Sequence, residues 1–129
     1  MTDDVQVPVP PPAPRVLIVD DHARFRALAR RTLQADGYEV VGEAPDGAGA
    51  LAAVAELQPD LVLVDVGLPD VSGLDLARTL RNGGHGPHVV LVSTRDAEDY
   101  AQLAASHGAL GFVPKAELSG DALRALLAG

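Results

Sequence analysis

The chain has 129 residues and a net charge of −8, with 47% apolar residues but only 3% aromatic ones. That length supports one domain with a substantial core, which must be built from Val, Leu and Ala. The acidic charge argues against direct DNA binding, because DNA affinity rests mainly on neutralising phosphates. The absence of cysteine excludes disulfides and thiolate metal sites.

Residues 1–14 include Val7-Pro-Val-Pro-Pro-Pro-Ala-Pro14, which cannot join a sheet and favours polyproline II; they are read as a flexible Pro-rich arm. No apolar stretch approaches the about 20 residues of a membrane span, and Asp3, Asp4 and prolines occupy the start in place of a signal sequence. A cytoplasmic protein with no membrane partner is therefore expected.

From Arg15 to Gly129, strand and helix signals alternate. Strand 1 is Val16 to Val19, and it runs into Asp20-Asp21. Phe25, Leu28, Ala29 and Leu33 then follow at helical spacing, and Gly37 closes that helix. Strand 2 is roughly Glu39 to Gly42. Asp46 can cap a second helix carrying Leu51, Val54 and Leu57, which Pro59-Asp60 ends. Strand 3, Leu61 to Asp65, is an apolar run with one terminal carboxylate. Such runs read as strands buried on both faces. Ser72 and Asp75 resemble a capping box for a helix with Leu76 and Leu80. Strand 4 is Val89 to Ser93. Asp96 can cap a fourth helix, strand 5 is Leu110 to Val113, and a last helix from Ser119 carries Leu123, Leu126 and Leu127.

Five βα units with short loops imply a doubly wound parallel sheet with helices on both faces, since each crossover must be right-handed. Ligands bind at the carboxyl ends of such strands, at the topological switch point. With strand order 2-1-3-4-5, strands 1 and 3 are neighbours and Asp20, Asp21 and Asp65 converge there. Three carboxylates within a few Å repel one another, each pair at 4 Å costing roughly 4 kcal/mol at an effective dielectric of 20. A divalent cation relieves that repulsion. Oxygen-only ligands with room for water select Mg²⁺ or Mn²⁺ over zinc.

The acidic pair Asp20-Asp21, Asp65 ending strand 3, Pro69 and Gly73 in the loop, Ser93 ending strand 4 and Lys115 after strand 5 together resemble a response-regulator receiver domain of two-component signalling. The spacings, 28 residues from Asp65 to Ser93 and 22 from Ser93 to Lys115, match that family. The strings VDDHARFR, VVGEAPDG and GFVPKAELS are similar to the NarL/FixJ class. The resemblance implies the flavodoxin-like five-stranded fold, order 2-1-3-4-5. It implies phosphorylation of Asp65, Mg²⁺ held by Asp21, Asp65 and the Gly67 carbonyl with Asp20 acting partly through water, and Lys115 and Ser93 at the phosphoryl group. Phe112 falls where receivers carry the aromatic that changes rotamer on activation, and Ala104, Leu110 and Leu123 fall near the surface remodelled by it. Ala116 follows Lys115, where many receivers have a proline.

A sensor histidine kinase or phosphotransfer protein is the implied donor, a homodimer formed on phosphorylation the implied assembly, and a DNA-binding transcriptional regulator the implied parent. The chain is not expected to be an enzyme beyond its own phosphotransfer and dephosphorylation. Gly67 leaves room for water beside the acyl phosphate, whereas Arg95 can cover it. The alternatives are a stand-alone receiver and a degenerate receiver that binds without phosphorylation. A haloacid-dehalogenase-type hydrolase needs a second Asp where Gly67 stands. A flavodoxin-type phosphate loop does not tolerate Asp20-Asp21-His22.

Overall fold

The computed structural model describes residues 13–94 and 97–128. Residues 1–12 of the Pro-rich arm, and Arg95 and Asp96, which carry expectations from the sequence, lie outside the described residues. Strands and helices alternate: β1 (Arg15–Val19), α1 (Ala23–Ala35), β2 (Glu39–Ala44), α2 (Gly47–Leu57), β3 (Leu61–Asp65), α3 (Gly73–Leu80), β4 (His88–Ser93), α4 (Ala97–Ser106), β5 (Gly111–Pro114) and α5 (Gly120–Ala128). All strand pairs are parallel, in the order β2-β1-β3-β4-β5, as expected.

The inner strands β1, β3 and β4 are apolar along their middles because both faces of the sheet are covered there. Successive side chains nevertheless go to different layers. Val16, Ile18, Leu61, Leu63, Val90 and Val92 pack with Phe25, Ala29 and Leu33 of α1 and Leu123 of α5. Leu17, Val19, Val62, Val64, Val89 and Leu91 pack with Ala50 of α2, Leu76, Ala77 and Leu80 of α3 and Ala104 of α4. Val19 pairs with Val64, Asp65 with Val92 and Ser93 with Pro114. This register brings the carboxyl ends of β1, β3, β4 and β5 to one edge, which is what assembles the site.

Helix ends follow their local chemistry. Asp46 Oδ1 accepts the Gly49 N–H at 2.7 Å, Ser72 Oγ accepts the Leu74 N–H at 3.1 Å, and Ser119 Oγ accepts the Ala122 N–H at 3.0 Å. Each occupies an orphan donor of a first turn. Gly37, at φ +94°, follows α1 in the left-handed conformation that glycine accepts without strain. The start of α5 is fastened to the α1–β2 connection. The Gly120 N–H donates to Asp36 Oδ2 at 2.7 Å, Tyr38 Oη–H donates to the Gly120 carbonyl at 2.8 Å, and Arg124 donates to the Asp36 carbonyl at 3.1 Å.

Several expectations need correction. On α1 the row Phe25, Ala29, Leu33 meets the sheet, and Leu28, about 100° around the helix from Ala29, is 50% exposed. On α2 the buried positions are Gly47 and Ala50, with Val54 and Leu57 packed at the rim, and Leu51 is turned outward. Strand β2 continues to Ala44, because its pairing with β1 persists across a register shift between Val16 and Leu17. Strand β5 begins at Gly111 and includes Pro114 at its end. Ala104 and Leu123 are fully buried and contribute to the core instead of the surface, whereas Leu103 and Leu110 are exposed.

Candidate functional site

The last apolar residue of β1 is Val19. The chain then leaves the sheet, and the backbone of Asp20 donates to the Ala44 carbonyl of β2 at 3.0 Å. Asp20 is fully buried, while Asp21 stands half-exposed at the rim. Asp65, the last residue of the central strand, is 5% exposed. The loop after it is held close, for the Gly73 N–H donates to the Val66 carbonyl at 2.8 Å. A Cβ on Gly73 would collide with the Asp65 carbonyl, so only glycine lets α3 begin this near the end of β3. Asp70 anchors the same loop by accepting the N–H groups of Gly47 and Ala48, at 2.8 and 3.0 Å, from the first turn of α2.

Lys115 crosses from the end of β5 into this group. Its Nζ lies 2.6 Å from Asp20 Oδ2 and 3.6 Å from Asp65 Oδ2. It also lies 4.5 Å from the centre of the Phe25 ring, a cation–π contact. The approach to Asp20 is an ion pair without hydrogen-bond alignment, so Asp20 Oδ2 is buried with no hydrogen-bond partner among the described residues. Burial, and next the neighbouring Asp20, push the Asp65 carboxyl above its ordinary value; Lys115 and a hydrogen bond from the Gly67 backbone oppose them. A carboxylate whose charged form is disfavoured in this way gains most from an added cation.

One oxygen each from Asp20, Asp21 and Asp65 and one nitrogen of His22 all lie within 4.8 Å of one another. A divalent cation fits this group, because the donors are mainly hard oxygens and three carboxylates here face a single ammonium, that of Lys115. Beside it is a cleft of about 330 Å³ lined by His22, Asp65, Val66, Gly67, Ser93, Thr94, Tyr100 and Lys115. Nothing lies within 4 Å of the place a Gly67 Cβ would take, so the cleft is open on that side of Asp65.

The structure thus brings together Asp20, Asp21, Asp65, Ser93 and Lys115 and sets Gly67 beside them. Phe112 stands outside the cleft and packs on Tyr100 with ring centres 5.4 Å apart. Sequence reasoning missed His22 and Tyr100. Adjacency to the acidic pair was a usable signal for His22. The placement of Tyr100 depends on how α4 crosses β5, for which the sequence holds no local signal.

A doubly wound parallel sheet with an acidic triad and a lysine at the β1/β3 switch point is the arrangement expected of a signalling receiver module, and comparison with known proteins agrees. The description "Response regulator receiver domain" matches residues 16–128. The chain belongs to the response-regulator receiver family. It is 35% identical over 101 residues to the DNA-binding transcriptional activator EvgA of Escherichia coli K12, covering 78% of this chain and 50% of EvgA. Among solved structures, the signal receiver domain assigned to NarL of Mycobacterium tuberculosis superposes with a TM-score of 0.80 at 32% identity, covering 92% of this chain and 100% of that one. A LuxR-family two-component response regulator from Aurantimonas sp. SI85-9A1 gives a TM-score of 0.81 at 33% identity, covering 91% and 86%. The chain spans about half the length of the curated relatives it matches. It is a receiver module of two-component signalling, homologous to DNA-binding transcriptional regulators.

Proposed function

We propose that the chain accepts a phosphoryl group on Asp65 in a magnesium-dependent reaction and passes the signal on by altered protein contacts. The observation that carries this reading is the convergence of Asp20, Asp21, Asp65 and Lys115 in an open cleft. An Asp65 oxygen attacks the phosphorus of a phosphohistidine or small acyl phosphate, and the bond from phosphorus to the leaving group breaks as the aspartyl phosphate forms. Asp21, Asp65 and the Gly67 carbonyl would hold Mg²⁺ (or Mn²⁺), with Asp20 acting partly through water. When bound, the ion offsets negative charge on the phosphoryl oxygens.

Lys115 moves from Asp20 to a phosphoryl oxygen as a point charge, and the Ser93 hydroxyl donates to another. Beyond this self-directed phosphotransfer and the hydrolysis of the aspartyl phosphate to inorganic phosphate, the chain has no catalytic task. The donor is a sensor histidine kinase or phosphotransfer protein in the cytoplasm. No helix among the described residues is long and apolar enough to cross a membrane. Phosphorylation promotes a homodimer, and the parent protein carries a DNA-binding output, a reading supported by the EvgA and LuxR-family relatives.

The test is incubation with acetyl phosphate and Mg²⁺, followed by intact-mass measurement. One base-labile phosphoryl group is expected on the wild-type chain and none on Asp65→Asn. Phosphate on that variant at wild-type stoichiometry would overturn the assignment.

A further inference from the structure

We propose that His22 is a fourth ligand of the cation site and biases it toward divalent first-row transition ions over magnesium. The inference rests on the cation-site reading above. His22 is the N-cap residue of α1, a position where Ser, Thr, Asp or Asn normally satisfies a first-turn N–H. Its side chain makes no such capping bond. The ring turns instead into the acidic group, where Nδ1 lies 3.1 Å from Asp20 Oδ1 and 3.1 Å from Asp21 Oδ1.

The backbone holds it there, since the His22 N–H donates to Asp20 Oδ1 at 2.8 Å. The side chain is 65% exposed, so solvent can satisfy Nε2 when that nitrogen carries the proton and Nδ1 is left as a donor atom for a metal. The spacing of Nδ1 from the two carboxylate oxygens is that of neighbouring ligands around one ion, and the group already draws in positive charge, for the Lys115 ammonium lies 2.6 Å from the buried Asp20 Oδ2.

Three carboxylates alone make a hard-oxygen site suited to Mg²⁺. One imidazole nitrogen changes the order, because nitrogen ligands favour nickel, copper and zinc, and magnesium gains little from them. A purely electrostatic role for the ring predicts something else. A histidine that only bridges Asp20 and Asp21 competes with every divalent ion alike, so its removal tightens all of them.

Calorimetric titration of the whole chain with NiCl₂ and with MgCl₂ separates the two, using His22→Asn and Asp21→Asn. Asparagine is a favoured N-cap residue, so the first variant keeps α1 intact. The expected result is that His22→Asn weakens Ni²⁺ binding by about tenfold or more while changing Mg²⁺ binding by less than about threefold, and that Asp21→Asn weakens both. Equal changes for the two ions, or tighter binding of both, would overturn the proposal. So would Ni²⁺ binding that survives Asp21→Asn, which would place the ion on other imidazoles such as His85, His88 or His107. A chain that binds Mg²⁺ and labels on Asp65 yet fails these tests loses only this inference; absence of labelling and of Mg²⁺ binding in the wild type defeats the phosphoacceptor reading itself.

Discussion

Asp65 sits at the end of a strand with every residue buried, beside a second carboxylate, and its carboxyl is held above the ordinary value by burial and then by Asp20. The folded chain therefore holds this proton more tightly than the unfolded chain does. The sign follows from linkage: stability is greatest below the ordinary carboxylate value and falls as pH rises through the raised one. Asp65→Asn removes that slope, and without divalent ions at pH 7 it is expected to melt a few degrees above wild type. Mg²⁺ should then raise the wild-type melting temperature and leave the variant nearly unchanged. Differential scanning calorimetry in EDTA and in Mg²⁺ checks both statements; a variant that melts below wild type in EDTA would contradict them. The acidic residues were legible because apolar runs ending in charge announce strand ends at a sheet edge, and Lys115 through its spacing from Ser93 in the receiver resemblance. His22 was missed although it adjoins the acidic pair, because adjacency places the residue near the site but does not say which way its ring turns.

At the scale of elements, the loop between β3 and α3 is fixed at two points, by the missing side chain at Gly73 and by Asp70 on the first turn of α2. Gly73→Ala forces a Cβ against the Asp65 backbone. It is expected to cost about 1–3 kcal/mol, the usual range for overpacking, and to slow labelling of Asp65, as denaturant melts and acetyl phosphate kinetics would show. The Asp70 carboxyl is held below its ordinary value by the Gly47 N–H first and the Ala48 N–H next. Its contribution is present above the ordinary carboxylate value and fades as pH falls through the lowered one. Asp70→Ala should therefore reduce stability at pH 7 and speed hydrogen exchange at Gly47 and Ala48; unchanged exchange there would discard the anchor. Element order and type were readable from the alternation of apolar runs and helical spacing. Which helical row faces the sheet was harder to read. Ala29 was predicted for the sheet-facing row of α1 and lies in it, but Leu28 does not, and on α2 Ala50 occupies the contact predicted for Leu51, since small side chains let a helix lie close to a sheet, and composition rewards the larger residue.

Across the whole molecule, the proposed signal has to travel from the cleft to a surface. The Tyr100–Phe112 contact links the two, since Tyr100 lines the cleft and Phe112 packs outside it. A two-state change that turns Phe112 inward must break this ring contact and alter the neighbourhood of the exposed Leu103 and Leu110. Moving such an equilibrium from 1:99 to 99:1 requires about 5.5 kcal/mol, within reach of several charge-assisted hydrogen bonds to a new phosphoryl group. With the phosphate mimic beryllofluoride and Mg²⁺, NMR should show shifts at Tyr100, Phe112, Leu103 and Leu110 as well as around Asp65. Changes confined to the Asp65 loop would reject the switch.

The length of β5 has a further consequence for what this molecule can join. It is a four-residue outer strand that ends at Pro114. An extended peptide seeking to lengthen the sheet there finds only a short template, the kind of blunted edge that resists strand addition. Partners on that side are thereby steered toward helix-to-helix contact, and a dimer formed there should leave the five-stranded sheet at five strands.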